Sequence, residues 1–343
     1  MRRHVHAIAV LILGASAVAD TPNAARGPGS SPSPTASRLA FASHRDGNWE
    51  IYAIEADGNR ATRLTSRVDQ DRFPLWSPDG TKIAFGSQVA NAWELWVMDA
   101  DGANARRLFR GIAAKSSREW SPDGTRIVFE SRSDSGYDIF SVRADGSGLT
   151  RLTSRGNATD PVWSPDGSRI AFASARDGRT DIYVMRADGS DQARLTSSGT
   201  VNGGPSWSPD GSAIAFASVM PGGAKEVCRI HADGSHLEQL TEGAMATRDP
   251  LEWSPDGKRI AFQSARGDYN IDVVDVTTRA RTTIAPTTKY DGMPRWSPDG
   301  AWLAFISDRD GFNALYVVRP DGTDLRRLTS ESTLDPAWSV SGR

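Results

Sequence analysis

From residue 38 onward the chain is a succession of apolar runs five or six residues long, each closed by turn residues. Residues 160–196 show the pattern. Pro161-Val162-Trp163 is followed by Ser164-Pro165-Asp166-Gly167, then by Arg169-Ile170-Ala171-Phe172-Ala173-Ser174. After a polar stretch come Asp181-Ile182-Tyr183-Val184-Met185, the turn Ala187-Asp188-Gly189, and a last short run ending at Arg194-Leu195-Thr196. Proline presets one turn position, aspartate bonds backbone N–H groups, and glycine accepts positive φ, so each break reads as a tight turn. Runs this short and this continuously apolar suit strands covered on both faces. The pattern therefore predicts four strands, with no ten-residue stretch of helical periodicity to compete.

The unit repeats. Trp-Ser-Pro-Asp-Gly begins at Trp76, Trp120, Trp163, Trp207, Trp253 and Trp296, and a degenerate Trp-Ser-Val-Ser-Gly begins at Trp338; the intervals are 44, 43, 44, 46, 43 and 42 residues. A phenylalanine two residues before a serine recurs seven times, from Phe41/Ser43 to Phe305/Ser307. The Asp-Gly of the third turn recurs at Asp57, Asp101, Asp145, Asp188, Asp233 and Asp321, while the unit after Trp253 carries Asp275-Val276-Thr277-Thr278-Arg279 instead and is expected to turn differently. Repeats of about 40–45 residues with four strands each are the signature of propeller blades. The repeat opens in a second strand, at Arg38-Leu39-Ala40-Phe41, and ends in a lone first strand, at Asp335-Pro336-Ala337-Trp338. The expected fold is thus an all-β, seven-bladed propeller over residues 38–343, its first blade closed by strands from both termini, which removes the exposed sheet edges of an open array.

The segment before the repeats has a different character. Arg2 and Arg3 precede the apolar run Ala7 to Ala19, with small residues at Ala17 and Ala19, so residues 1–19 read as a secretory signal peptide cleaved near Ala19. That run is shorter than the roughly 20 residues a membrane span needs, and no membrane insertion is expected after cleavage. Residues 20–37 hold four Pro, four Ser and no large apolar residue, and read as a disordered linker. The expected location is periplasmic or secreted.

Composition narrows the chemistry. With 40 Lys+Arg against 42 Asp+Glu there is no basic stripe for phosphates, so no nucleic-acid partner is expected. A single cysteine, Cys228, excludes an internal disulfide and a cysteine zinc site; it replaces the tyrosine of the third-strand pattern and reads as a buried, inert thiol. Neither a Gly-x-Ser-x-Gly elbow nor a His-Glu-x-x-His, Walker or twelve-residue calcium motif is present.

The series from Trp163-Ser164-Pro165-Asp166-Gly167 through Ile170-Ala171-Phe172 and Ile182-Tyr183-Val184-Met185-Arg186-Ala187-Asp188-Gly189 to Arg194-Leu195-Thr196 resembles the WD40-like repeat of the TolB propeller family. The resemblance covers residues 38–343 and implies a propeller that binds partners in the cell envelope. It differs from TolB in counting seven units rather than six, and in having the linker where TolB carries an α/β domain. Polysaccharide lyases with a similar propeller hold a metal through several histidines, and here only His44 falls on the variable face; no metal or other cofactor is expected.

Function is sought where the repeat is irregular. Loops from strand two to three, and from strand four to the next strand one, share the variable face. They contribute the candidate partner-binding residues Arg45, Trp49, Asp71, Trp93, Arg118, Asp160, Arg176, Asp249, Tyr269, Asp291 and Asp335. Two readings stand for the charged members: ion pairs between loops, or an acidic mouth for a basic peptide or polar loop, with the aromatics as anchors. The expected function is non-catalytic binding of an envelope protein or peptide by a monomer. The alternative is a carbohydrate-active enzyme, lyase- or hydrolase-like, using mouth carboxylates.

Overall fold

The computed structural model describes residues 37–112, 118–134, 136–197, 202–247, 251–287 and 289–339. The expected signal peptide, the linker up to residue 36, and Asp249 lie outside the described residues. All described residues belong to one compact unit, Ser33–Arg343.

These residues form 28 strands and no helix. In the unit around Trp163 the second strand is Arg169–Ser174, as its apolar run predicts, and the third is Asp181–Arg186. The first strand, Ala158–Trp163, begins before the apolar run because it crosses a bulge: its register against the second strand shifts between Thr159 and Val162. The same shift recurs in the first strands ending at Trp76, Trp207, Trp296 and Trp338. In each, the residue three before the tryptophan has positive φ: Phe73, Asp160, Gly204, Met293 and Asp335. Aspartate tolerates the left-handed region better than most residues, so backbone shape alone accounts for two of the recurring acids, Asp160 and Asp335.

Pairing within a unit is a meander. By hydrogen bonds there are six sheets, five of four strands and one of eight. The large one is two meanders joined where Ile112 bridges Ser131, so the repeat still resolves into four-stranded units. The seven first strands, Gln70–Trp76, Arg118–Trp120, Ala158–Trp163, Asn202–Trp207, Glu252–Trp253, Asp291–Trp296 and Thr333–Trp338, each touch the next, and the last touches the first. They are the inner strands of a closed, propeller-like ring. Closure is by pairing: Thr333–Trp338 is antiparallel to Arg38–Ser43, with Leu39 opposite Trp338 and Ser43 opposite Thr333.

Each junction between neighbouring units holds one apolar cluster. Phe172, Trp163 and Tyr183 pack with Val128 and Ile139 of the preceding unit, and Trp338, Phe41 and Tyr52 pack with Trp302, Ala304 and Leu315 of the last. The motif phenylalanines Phe41, Phe85, Phe129, Phe172, Phe216, Phe262 and Phe305 are essentially inaccessible. Five motif indoles also donate a hydrogen bond to the preceding unit: Trp120 to the Leu75 carbonyl, Trp207 to Val162, Trp253 to Ser206, Trp296 to Glu252 and Trp338 to Arg295. The tryptophans are thus stitching between blades, apolar on one edge and polar on the other.

Two further repeated features are structural. In the Ser-Pro-Asp-Gly turns the serine hydroxyl donates to the aspartate at 2.5 to 2.6 Å, and the glycine N–H closes the turn onto the serine carbonyl. The Ser164 hydroxyl, followed by the Ser168 backbone and side chain, holds Asp166 down to about 2. The Arg-Leu-Thr endings clamp a buried acid at the head of strand three: Thr65 and Arg63 on Glu50, Thr153 and Arg151 on Asp138, Thr196 and Arg194 on Asp181. In the unit after Trp253 the third turn differs, as its sequence predicts: the Arg279 N–H bonds back to Asp275 and Arg279 itself has positive φ. Cys228 is buried, and burial pushes its thiol up to about 12.

Candidate functional site

The meander puts the turns from strand two to three and from strand four to the next strand one at one end of the ring. There the candidate residues fall into separate groups, not one continuous rim.

The largest group lies over the first three units. Arg72 donates from Nε to Asp335 at 3.0 Å, and its guanidinium lies 5.0 Å from the Trp49 ring and 4.6 Å from Phe73. Phe73 in turn lies 5.4 Å from Trp93, and the Arg118 guanidinium is 5.4 Å from Phe73. Arg118 also donates to the Phe73 carbonyl at 3.4 Å, and no carboxylate pairs with it among the described residues. Burial lowers Arg118 to about 10, with the charges of Asp335 and Glu130 acting the other way. Room for its guanidinium comes from Gly86: a Cβ there would stand 3.2 Å from Trp93 and 3.3 Å from Arg118. The positions equivalent to Gly86 in other units carry side chains, among them Glu130, Gln263 and Ile306. Four predicted residues, Trp49, Trp93, Arg118 and Asp335, are therefore brought together, but through Arg72 and Phe73, which the repeat pattern does not single out. The signal for Phe73 is an aromatic residue where other units place Ser, Asp, Gly, Pro or Met.

The acids divide by register. Asp71 and Asp291 stand five residues before their tryptophans, and Asp160 and Asp335 three before. Asp71 and Asp291 are 0% exposed and Asp335 is 9% exposed, so these three do not present negative charge at the mouth. Asp291 is held by Arg309, which donates to both of its oxygens at 3.0 Å. Asp71 has no such partner. Ser87 and Thr65 are near, but neither carboxylate oxygen makes a hydrogen bond of acceptable geometry, and the Ser87 hydroxyl is itself unsatisfied. Burial pushes Asp71 up to about 6, aided by the charge of Glu50 and opposed by Arg67. Asp160 accepts from Thr159, and its backbone N–H is capped by Glu130 at 3.0 Å.

The remaining candidates are scattered. Arg45 pairs with Glu331 at 3.3 Å and lies 4.6 Å from the Tyr52 ring, an ion pair between loops. Tyr269 is 47% exposed and leans on Tyr290. Arg176, over the junction of the units around Trp120 and Trp163, forms no ion pair with a carboxylate among the described residues.

Inside the channel, one residue before three of the tryptophans, stand Glu119, Glu252 and Arg295. Inner strands have a free edge, and Glu119 uses it, accepting the Trp163 backbone N–H at 2.5 Å. Burial raises Glu119 to about 8, with the charge of Glu252 adding to the rise and the Trp163 N–H opposing it. Glu252 is raised by burial also, against the lowering effect of Arg295, with which it pairs. Sequence reasoning missed both glutamates because they occupy positions that are Leu75, Val162, Ser206 and Ala337 in other units. Among the described residues no group of three His, Cys, Asp or Glu is placed to hold a metal ion. No helix of the described residues is long and apolar enough to cross a membrane.

The structure is similar to that of TolB from Acinetobacter baumannii, with 19% identity over 88% of this chain and 66% of that one, at a TM-score of 0.59. It is similar to an oligogalacturonate lyase in complex with manganese, with 20% identity over 82% and 85% of the two chains and a TM-score of 0.66. It is also similar to a Mycobacterium tuberculosis puromycin-hydrolyzing peptidase, with 17% identity over 88% of this chain but 56% of that one, and a TM-score of 0.65. At such identities these likenesses show the fold alone, and the chain spans about two thirds of the TolB protein and about half of the peptidase. A comparison with curated proteins finds no match. The PD40 family, described as TolB beta propeller domain, matches residues 5–154, 109–251 and 226–343, which together span nearly the whole sequence. With the repeat, the closed meanders and the family match in agreement, the chain belongs to the PD40 family of TolB beta propeller domains.

Proposed function

We propose that this propeller is exported and acts by binding: it takes a protein or peptide of the cell envelope on the face that carries Trp49, Arg72, Phe73, Trp93 and Arg118. The observation that supports this reading most is the composition of that cluster. Tryptophan and arginine dominate the energetics of protein interfaces, and here they converge from three units around a guanidinium, that of Arg118, left without a carboxylate. Export rests on the leader read from residues 1–19. The partner is expected to present an apolar side chain against the paired Trp93 and Phe73 rings and an acceptor to Arg118.

The test is direct. Trp93→Ala and Arg118→Ala together should reduce capture of the envelope partner by about thirtyfold or more, the scale of a hot-spot loss, at a temperature where circular dichroism shows the variant still folded. Undiminished capture by a folded double variant contradicts the reading.

A second reading is favoured by one observation. Burial raises the Glu119 carboxyl to about 8, against the Trp163 N–H, and so toward the protonated state required of a general acid in glycoside chemistry. The manganese named with the similar lyase gains no support here, since the described residues do not assemble a ligand set. Purified protein is expected to leave oligogalacturonate and other acidic oligosaccharides intact; turnover that disappears in Glu119→Gln would replace the binding proposal with this one.

A further inference from the structure

Four units carry an arginine two residues after the repeated serine: Arg45, Arg176, Arg266 and Arg309. Three of them hold a carboxylate of the chain itself. Arg45 takes Glu331 at 3.3 Å, Arg266 takes Asp272 at 3.2 Å, and Arg309 takes Asp291 at 3.0 Å. The fourth does not. Arg176 donates Nε to Ser174 at 3.0 Å and Nη1 to Gln192, and it lies 4.7 Å from the Tyr183 ring, but its Nη2 is shut off from solvent and meets no acceptor. Counted from the Arg-Leu-Thr ending of the preceding unit, the residue that corresponds to Glu331 is Arg155, so an acid has been exchanged for a second cation. The charge of Arg155 is felt at Arg176, where it adds to the lowering produced first by burial, against Tyr183, Asp177 and Asp138 acting the other way. A groove of about 440 Å³ opens at this place, walled by Arg155, Arg176, Gln192 and Arg194 together with Ser154, Asp177 and Tyr183. Asp177 is tied to the Tyr183 hydroxyl and Arg194 to the buried Asp181, and among the described residues no carboxylate forms an ion pair with Arg155 or Arg176.

We infer that this groove is a carboxylate-binding subsite, in which an Asp or Glu side chain of a bound peptide takes the place that Glu331 fills at Arg45. The ligand class follows from the fold's own usage, because each equivalent arginine is satisfied by a carboxylate and by no other group of comparable charge. Gln192 is exposed, and a carboxylate displacing its amide would reach Nη1 and Nη2 as a fork, the geometry guanidinium and carboxylate prefer. The inference rests on the binding function proposed above, whose partner it makes acidic at this point.

The probe is end-capped hexaglutamate, titrated into the purified full chain with hexaglutamine and inorganic phosphate as comparisons. Hexaglutamate is expected to bind at one site, to perturb the Arg176 Nε resonance, and to resist displacement by equimolar phosphate. Arg155→Glu, a change at an exposed side chain, should weaken it by at least about tenfold, as loss of a charge-assisted contact and gain of a repulsion require. Glu331→Arg, which gives Arg45 the same surroundings, should add a second site. No binding to the native chain, equal binding of hexaglutamine, preference for phosphate, or full affinity in Arg155→Glu would each overturn the inference. Envelope capture that survives Arg155→Glu but fails in the Trp93 and Arg118 double variant removes this subsite while keeping the mouth reading. Hexaglutamate binding without any mouth-dependent capture does the reverse.

Discussion

Removing residues 331–343 should lower the melting temperature by about 10–20 °C, corresponding to a loss of at least about 5 kcal/mol in a domain of this size. The segment is the inner strand of a unit whose other three strands come from the opposite end of the sequence. Deleting it strips the ladder from Arg38–Ser43, including the pairs Leu39 with Trp338 and Ser43 with Thr333. It removes the Trp338 indole that bonds the Arg295 carbonyl, and the reciprocal bonds between Arg38 and Ser339. It also opens a cluster in which Phe41, Tyr52, Trp302 and Leu315 are packed out of contact with water. Loss of a buried tryptophan alone costs about 3–5 kcal/mol, and the exposed inner edges on either side of the gap add to it. A synthetic 331–343 peptide supplied to the truncated chain should raise the melting temperature again. A truncated chain that melts like the full one would mean that the ring is not held shut by this strand.

The second large effect concerns pH. Asp71 has a folded-state value of about 6 against an ordinary 3.8, raised chiefly by burial. Between those values the native chain therefore holds more protons than the unfolded one. Stability from this group is complete below about pH 4 and is lost as pH rises through 6, the opposite of an ion-paired carboxylate. That difference corresponds to about 3 kcal/mol at neutral pH. Asp71→Asn should consequently stabilise the chain by about 2 kcal/mol at pH 7, leave it nearly unchanged at pH 4, and flatten the decline between. Asp291→Asn is the internal comparison, since the same position there is clamped by Arg309. It should destabilise by about 2 kcal/mol, because it takes the charged partner from the half-buried Arg309 guanidinium. Thermal melts of both variants at pH 4 and pH 7 check the pair; an Asp71→Asn chain less stable than the parent at pH 7 would show that Asp71 is satisfied in a way its surroundings do not suggest.

These residues show what the sequence makes legible and what it hides. Strand positions come through well, because the apolar run Arg169–Ser174 and the Ser-Pro-Asp-Gly turn are local, each fixed by residues within a few positions of one another. The stitched unit was also readable, since it needs only the order of the strands. Partnerships between charges were not. Asp71, Asp160, Asp291 and Asp335 look alike in the repeat, yet two sit at a bulge where φ is positive and two sit inside the wall, one clamped and one orphaned. A shift of two residues along a bulged strand changes which junction a side chain enters, and hydropathy does not record it. The arginine and aromatic cluster was half visible for the same reason. Trp49, Trp93 and Arg118 depart from the repeat, but Arg72 and Phe73 become meaningful only when the bulge turns them toward their neighbours. Glu119 and Glu252 are legible only once the inner strands are known to face a channel.

If the regular positions hold the ring, the irregular face is left to recognise a partner. Photo-crosslinking side chains placed singly at Trp93, Tyr269 and Leu237, in the chain within the cells that make it, separate the two ends of the ring. Trp93 and Tyr269 belong to the variable end, and Leu237, exposed beside the third turn, belongs to the other. Adducts to a common protein are expected from the first two positions and none from the third. Adducts from Leu237 alone, with none from Trp93 or Tyr269, would contradict it.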